Sequence, residues 1–214
     1  LLRLQGADER IEELTEQVAA SAALLAERVV ALTHARTEAA ERLSAAVEQE
    51  LGHLGMAKAR VEIVVEPRAE GGLELPGPSG ETLRVSPEGA DTVEVRVAAN
   101  RGTPARSVAK AASGGELSRI MLAIEVATAG SGRSQVPTFV FDEVDAGVGG
   151  RAALDVGARL AALARTSQVI VVTHLAQVAA HADRHLVVHK AHGDQVTSSG
   201  VRAVSYTHLT LPTI

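Results

Sequence analysis

The sequence predicts an α/β fold in which a mostly parallel sheet is flanked by helices and preceded by a long N-terminal coiled-coil helix. Two observations support this fold class. Apolar residues recur at helical spacing from residue 1 to about residue 54, a stretch without proline. From residue 113 onward, short and continuously apolar strands alternate with helical segments. That alternation is typical of a parallel sheet covered on both faces.

The N-terminal helix is too long for an ordinary globular domain. Its apolar residues follow one another mostly at steps of three, four and seven, and some, such as Val18, Val29 and Ala40, lie eleven apart. At about 1.5 Å per residue, the helix would extend roughly 75 Å. We interpret it as a coiled-coil arm that is nearly straight or slightly right-handed. One long helix of a bundle remains an alternative, and the sequence does not distinguish an intramolecular antiparallel coil from a dimeric one.

Turn-forming residues divide the rest of the chain. Gly52 and Gly55 end the helical pattern, and a stretch rich in Gly, Pro, Ser and Glu predicts a hairpin-like excursion between two strands. The predicted elements are strand 60–66, excursion 67–89, strand 92–98, loop 100–112, helix 116–129, strand 138–141, helix 151–164, strand 168–173, helix 175–182, strand 185–189 and strand 195–204. The predicted division is a coiled-coil arm (1–57), a globular lobe (58–204) and a tail (205–214) of cloning or sequence-assembly origin.

Composition and charge argue against several classes of function. The net charge of −5 comes without a long block of Lys or Arg, so no basic footprint for nucleic acid is visible. Aromatic residues make up 1% of the chain, which argues against single-strand binding by base stacking. The absence of cysteine excludes disulfides and thiolate metal sites. No continuous apolar run reaches the roughly 20 residues of a membrane span, so we expect no membrane partner.

A glycine pair begins the helix predicted over 116–129. In Ser113-Gly114-Gly115-Glu116, a serine three residues before a glutamate is the pattern of a capping box, which would be purely structural. Two glycines at a helix start also let a phosphate approach bare backbone N–H groups, and the helix dipole favours its negative charge. The sequence is therefore compatible with both a cap and a phosphate-binding helix terminus.

Two adjacent acids follow the apolar strand 138–141. One carboxylate of Asp142-Glu143 can hold a hydrated Mg²⁺, and the next can position and deprotonate an attacking water. A strand that runs into a polar turn would look the same. The two acids follow the glycine pair and are separated from it by one helix and a loop. This position favours the chemical interpretation.

Two further segments have candidate functional residues. A glycine-rich connection directly after the acids contains Asp145, Gly147 and Gly149, and it is also compatible with a flexible linker. His174 follows the strand predicted over 168–173. Its imidazole can donate to a phosphate oxygen and gains charge readily near neutral pH. A lone histidine at a strand end is more often structural, but here it follows three other motifs.

The four motifs in this order resemble those of an ABC-type ATPase head, and most closely the C-terminal part of the head in the SMC-like RecN family. Residues 114–119, 142–150 and 173–179 carry the resemblance. Val148-Gly149 stands where many members of the wider group have Leu-Asp. The resemblance implies the fold of the C-terminal lobe of an ABC/SMC-type ATPase head, with ATP and Mg²⁺ as cofactors.

The resemblance also implies a role for each motif. Asp142 would order Mg²⁺ through water, Glu143 would activate the attacking water, and His174 would be the switch histidine that steadies the γ-phosphate. A signature motif would bind nucleotide held by a second head, and a D-loop would lie at the interface between heads. The signature residues are Ser113, Gly114, Gly115 and Glu116, and the D-loop residues are Asp145, Gly147 and Gly149.

The phosphate-cradling P-loop pattern, Gly-x-x-x-x-Gly-Lys-[Ser/Thr], does not occur in the sequence. We therefore expect this segment alone to be inactive and to require an N-terminal lobe that supplies the P-loop. The expected partners are that lobe, a second head in an ATP-sandwiched dimer, and DNA through the full-length protein. The expected task is DNA double-strand-break repair and recombination in the cytoplasm, at the nucleoid. The alternatives are another SMC-like chromosome-maintenance ATPase, a non-catalytic coiled-coil scaffold and an ABC transporter domain, the last disfavoured by the long arm.

Overall fold

The computed structural model describes residues 2–100, 102–108, 114–129, 138–192 and 197–204. The helices are α1 (Leu2–His53), α2 (Gly114–Ala129), α3 (Gly150–Leu163) and α4 (Ala176–Ala179). The strands are β1 (Arg60–Pro67), β2 (Leu73–Pro76), β3 (Thr82–Val85), β4 (Asp91–Ala98), β5 (Arg106–Ser107), β6 (Thr138–Phe141), β7 (Gln168–Val171), β8 (His185–His192) and β9 (Thr197–Val204).

The chain forms two compact units. The first comprises residues 1–45, 61–97 and 105–107, and the second comprises residues 46–60, 98–104 and 108–214. The strands predicted over 60–66 and 92–98 therefore belong mainly with the arm. The predicted division into 1–57, 58–204 and 205–214 stays a prediction, and its tail lies outside the described residues.

Helix α1 matches the helix predicted over residues 1 to about 54 and ends where the glycines predict. Gly55 adopts a left-handed conformation with φ of 76°, and the backbone N–H of Met56 donates to the carbonyl of Leu51 at 2.9 Å. This is the hydrogen bond of a Schellman motif, in which glycine is favoured because it lacks a Cβ. Toward the N-terminus apolar side chains stay exposed, at 62% for Ile11 and 68% for Val18, as on an unpaired coiled-coil strand.

The first unit is built on a short sheet and a hairpin. Strands β1, β4 and β5 form a three-stranded sheet in the order β1-β4-β5. The excursion predicted over 67–89 contains the antiparallel hairpin β2–β3, with Leu73 opposite Val85. A small buried cluster joins Val29 of α1 to Leu75, Val85 and Ala90. The hairpin thus packs against the helix through buried apolar side chains, and apolar burial is the dominant favourable contribution to folding.

The second unit contains the parallel strands. β6 and β7 pair in parallel, with Thr138 opposite Gln168 and Phe141 opposite Val171. Helices α2 and α3, together with the end of α1, supply a tightly buried core. Its fully buried side chains include Val47, Leu51, Leu54, Ile120, Leu122, Val156 and Leu163.

One pairing differs from the sequence prediction. The strand predicted over 185–189 does not extend the parallel sheet within the described residues. It forms β8 and pairs antiparallel with β9 over its whole length, from His185 opposite Val204 to His192 opposite Thr197. Closing a short loop between neighbouring segments costs less chain entropy than joining distant ones. The apolar pattern of β8 is compatible with either pairing, so it did not reveal the choice.

Within the described residues, one helix is long and apolar enough to cross a membrane by length and composition alone: residues 8–53 of α1. The sequence prediction differs, because it required a continuous apolar run and Glu27 and Arg28 interrupt this stretch. One such helix is a weak indication, since core helices of soluble proteins pass the same test. In α1, Thr33 and Arg36 bond to the carboxylate of Asp91 at 2.7 and 3.0 Å, so this helix packs against protein.

Candidate active site at the ends of two parallel strands

The register of β6 and β7 brings two of the predicted motifs together. Phe141 and Val171 are opposite each other at the ends of the strands, and the N–H of Val172 continues the ladder by donating to the Phe141 carbonyl at 2.9 Å. Asp142-Glu143 and Thr173-His174 therefore emerge side by side. In parallel sheets, this carboxyl edge is where ligands bind.

Side chains in the first turns of α2 form hydrogen bonds to the loop after β6. The Ser118 hydroxyl donates to the backbone carbonyl of Asp142 at 2.7 Å. Arg119, which is 7% exposed, donates to the carbonyls of Ala146 at 2.7 Å and Val144 at 3.5 Å. The glycine-pair motif and the acidic motif are thus connected within one chain.

Arg119 is a buried residue of this site whose contacts the sequence did not predict. Burial lowers the pKa of its guanidinium below the ordinary value, and the nearby charge of Glu116 opposes that shift. Arginine nevertheless stays charged in proteins, and within the described residues its buried Nε has no hydrogen-bond partner. Arg119 lies three and four residues before the buried Leu122 and Ala123. A cation on the apolar face of a predicted helix was therefore the sequence signal that could have indicated the burial of this residue.

The two glycines at the start of α2 pack against the acidic loop. A Cβ on Gly115 would lie 2.7 Å from Cβ of Ala146 and 3.0 Å from the Glu143 carbonyl oxygen. A Cβ on Gly114 would meet Oε2 of Glu143 at 2.8 Å. Gly115 is buried and Gly114 is exposed. Close packing is thus one physical reason for glycine at 115, beside any contact with phosphate.

Glu143 has an unusual backbone conformation. Its φ of 56° is the one positive value among non-glycine residues that the structure describes. Left-handed conformations of such residues cost about 1–2 kcal/mol and cluster at functional sites. The carbonyl of Glu143 accepts from the N–H of Ala146 at 3.0 Å, so the strain falls in a tight turn. Asp142 and Glu143 both stay exposed.

The exposed carboxylates suit a hard cation such as Mg²⁺. Magnesium is usually held by one or two carboxylates together with waters and substrate phosphates, and not by a complete protein cage. The described residues contain no group of three or more His, Cys, Asp or Glu that could hold a metal on its own. The role of Asp142 in holding Mg²⁺ stays a prediction.

Asp145 connects the two strand ends. It is 2% exposed, and its Oδ2 accepts from the Thr173 hydroxyl and from the His174 backbone N–H at 3.3 Å. The same oxygen lies 3.5 Å from Nδ1 of His174, whose side chain is 76% exposed. The sequence marked Asp145 as an interface residue, whereas here its carboxylate is engaged by the histidine segment of its own chain.

The other candidate residues are partly outside this cluster. Ser113 lies outside the described residues, so its capping and nucleotide-binding roles stay predictions. Gly147 is exposed with φ of 73°, and Gly149 is the exposed N-cap residue of α3, with extended backbone. These positions leave both glycines accessible to a ligand or a second head, as the prediction requires.

One face of the parallel pair remains uncovered. Val140, Ile170 and Val172 are 67%, 47% and 58% exposed. Side chains of this type are normally buried when helices cover both faces of a parallel sheet. The second unit thus presents an apolar sheet face beside the candidate site.

Comparison with known proteins gives RecN proteins of several bacteria among the curated relatives. No protein-family model matches the chain. It is 55% identical over 175 residues to the DNA repair protein RecN of Streptomyces coelicolor, covering 81% of this chain and 30% of that protein. It is 46% identical over 209 residues to RecN of Mycobacterium tuberculosis H37Rv (96% and 35%), and 42% identical over 175 residues to RecN of Treponema pallidum (81% and 29%). The chain spans about a third of the length of these relatives.

Solved structures support the fold. The chain is similar to the Smc head domain with a coiled coil and joint from Pyrococcus yayanosii, with a TM-score of 0.58 and 20% identity over 95% of this chain and 34% of that one. It is also similar to the Smc head domain with an extended coiled coil bound to the C-terminal domain of ScpA from Pyrococcus furiosus, with a TM-score of 0.56 and 19% identity over 94% and 44%. The predicted fold class is confirmed.

Proposed function

Since this chain belongs to the RecN family, as a C-terminal segment of it, we propose that it is part of an ATP-hydrolysing head and supplies the signature motif, the Mg²⁺ and water-activating acids (Walker B) and the switch histidine. The observation that carries the proposal is the parallel register of β6 and β7. It places Asp142, Glu143 and His174 at one strand edge, beside the start of α2.

Each group has a distinct task in phosphoryl transfer. Asp142 would hold a hydrated Mg²⁺, which would neutralise the charge that develops on the phosphates. Glu143 orients the attacking water and accepts its proton. His174 donates to a γ-phosphate oxygen. The side chains of all three are accessible, as contact with a nucleotide requires.

The P-loop is supplied by a separate lobe. The chain spans about a third of the length of its relatives and contains no P-loop pattern. The exposed apolar face formed by Val140, Ile170 and Val172 is a suitable surface for that lobe, because covering it removes apolar area from water. This segment alone is therefore inactive.

A second head completes the active site. Signature residues Ser113, Gly114, Gly115 and Glu116 bind the γ-phosphate held by the P-loop of the opposite head, through backbone N–H groups at a helix start. The accessible D-loop glycines, Gly147 and Gly149, contact that head, and Asp145 supports the loop from inside. ATP binding closes the heads and hydrolysis releases them.

The arm carries this change to the rest of the protein. The exposed apolar residues of α1, such as Ile11 and Val18, fit a coiled-coil partner. In the full-length protein, the task is DNA double-strand-break repair and recombination, in the cytoplasm at the nucleoid.

ATP turnover by the full-length protein that contains this chain tests the proposal. Glu143→Gln keeps the size of the side chain and removes the base, so we expect turnover to fall by about 100-fold or more, with ATP binding retained. Glu70→Gln, an exposed change in the first unit, is the matched control and leaves turnover unchanged. Full turnover by Glu143→Gln would reject the ATPase proposal and favour a non-catalytic scaffold.

The half-site proposal has its own test. The 214-residue chain alone should not hydrolyse ATP, and activity should appear when the P-loop lobe is added. Ser113→Arg should lower that activity, because a bulky side chain blocks the phosphate. Robust hydrolysis by the isolated chain, abolished by Glu143→Gln, would contradict the requirement for a second lobe.

A further inference from the structure

Asp145 is a buried carboxylate placed between the ends of β6 and β7. Its Oδ2 accepts from the Thr173 hydroxyl and from the backbone N–H of His174, and it lies 3.5 Å from the imidazole Nδ1. The Thr173 hydroxyl in turn accepts from the N–H of Leu175 at 3.0 Å. The carboxylate therefore accepts from the backbone N–H of a histidine whose side chain is 76% exposed, and it lies within ion-pair distance of the ring.

Packing alone does not account for this carboxylate. Burying a charge is unfavourable unless it is paired and hydrogen-bonded, and an apolar residue of similar size often serves stability as well. Within the described part of the chain, the side-chain partners of Asp145 are confined to Thr173 and His174. A buried charge whose contacts all converge on the histidine segment is suited to orienting that segment.

We propose that Asp145 is the positioning residue for His174, and that it accepts from Nδ1–H of the doubly protonated ring, so that Nε2–H is the donor presented to the γ-phosphate. The inference rests on the proposed function, in which His174 contacts that phosphate. A free histidine side chain rotates about two torsions. The contact at Nδ1 limits that rotation, and the contact at the backbone N–H fixes where the side chain begins.

Steady-state ATP hydrolysis by the full-length protein tests this inference. Asp145→Asn retains the shape and removes the charge. We expect kcat to fall on the order of 10- to 100-fold, as for other losses of catalytic orientation. The KM for ATP should change by less than about threefold, because the altered interaction matters mainly in the transition state.

A double-mutant cycle separates positioning from general support of the fold. If Asp145 acts through His174, then Asp145→Asn causes no further loss of kcat in the His174→Ala background. A merely structural aspartate lowers kcat by the same factor in both backgrounds. That additive result, or an unchanged kcat for Asp145→Asn alone, would overturn the inference.

The first unit offers a matched control. Asp91 is also buried, at 6% exposure, and its carboxylate accepts from the Thr33 hydroxyl and pairs with Arg36. Asp91→Asn makes the same chemical change in a residue that contributes nothing to the candidate site and should leave kcat unchanged. If Asp145→Asn unfolds at the assay temperature, Thr173→Val replaces it. It removes one donor to the carboxylate and should lower kcat only where His174 is present.

Different experimental results would reject the positioning role of Asp145 and the proposed ATPase function. If Glu143→Gln retains full turnover, the proposed function fails and His174 has no phosphate to contact. If Glu143→Gln abolishes turnover while Asp145→Asn is fully active, the ATPase proposal stands and only the positioning role is rejected.

Discussion

Replacement of Gly115 by alanine should destabilise the second unit, although the same change normally favours a helix. Alanine in place of glycine stabilises a helix by about 0.5–1 kcal/mol. The new Cβ would lie 2.7 Å from Cβ of Ala146 and 3.0 Å from the Glu143 carbonyl oxygen. Carbon atoms in favourable contact are about 3.5–4.0 Å apart, so the helix or the loop must move by roughly 1 Å.

The overlap should outweigh the helical gain. Overpacking of a tight core costs about 1–3 kcal/mol, and both atoms in contact belong to a short turn, not to the flexible end of a side chain. Subtracting the helical gain leaves a net destabilisation of up to about 2.5 kcal/mol, with the middle of the range near about 1.2 kcal/mol. With a urea slope of about 2 kcal/mol/M, the unfolding midpoint should fall by roughly 0.6 M, and by no more than about 1.3 M.

Gly52→Ala is the matched control. Gly52 also lies in a helix, and a Cβ built there meets nothing within 4 Å. This variant should raise the urea midpoint, by up to about 0.5 M on the same slope. If Gly115→Ala raises the midpoint as much as Gly52→Ala does, the close packing of α2 on the acidic loop is not maintained in solution. The explanation of the glycine by packing would then be refuted.

Two further predictions concern backbone strain and a buried ion pair. Glu143→Gly should stabilise the chain by up to about 1 kcal/mol, because glycine adopts the positive φ without strain. The same change should abolish ATP turnover in the full-length protein. A lower urea midpoint for this variant would contradict the strain at Glu143. Arg36→Leu should cost about 3 kcal/mol by leaving the carboxylate of Asp91, 3% exposed, without its cation. Arg10→Leu, which breaks an exposed pair, should cost no more than about 0.5 kcal/mol, and equal midpoints for the two arginine variants would refute the difference.

The local sequence pattern was sufficient to predict most of the helices and strands. Helix α1 could be predicted to within a residue or two, because its periodicity extends over fifty residues and its glycine terminator is local. Strand β6 lies where its apolar run predicted it, at Thr138–Phe141. The adjacent acids and the histidine could be found because each directly follows such a strand. Their nearness in space followed from the parallel pairing that alternating strands and helices predict.

The pairing of strands and the contacts between residues far apart in the sequence could not be predicted from local pattern. The sequence of β8 is compatible with a parallel or an antiparallel neighbour, and its pairing with β9 was decided by competition between partners. Arg119 and Asp145 look like ordinary surface charges in the sequence. Their burial depends on carbonyls and a hydroxyl contributed by segments 25 to 28 residues away.

The sequence by itself therefore determined the arm, the order of the strands and helices, and the residue types that can carry ATP chemistry. Each of these depends on periodicity or on neighbours a few residues apart. Only the tertiary structure decided that Gly115 packs against the acidic loop, that Glu143 adopts a left-handed conformation and that the carboxylate of Asp145 accepts from the backbone N–H of His174. These features depend on how close two strand ends and one helix start come together, and local pattern does not specify that distance.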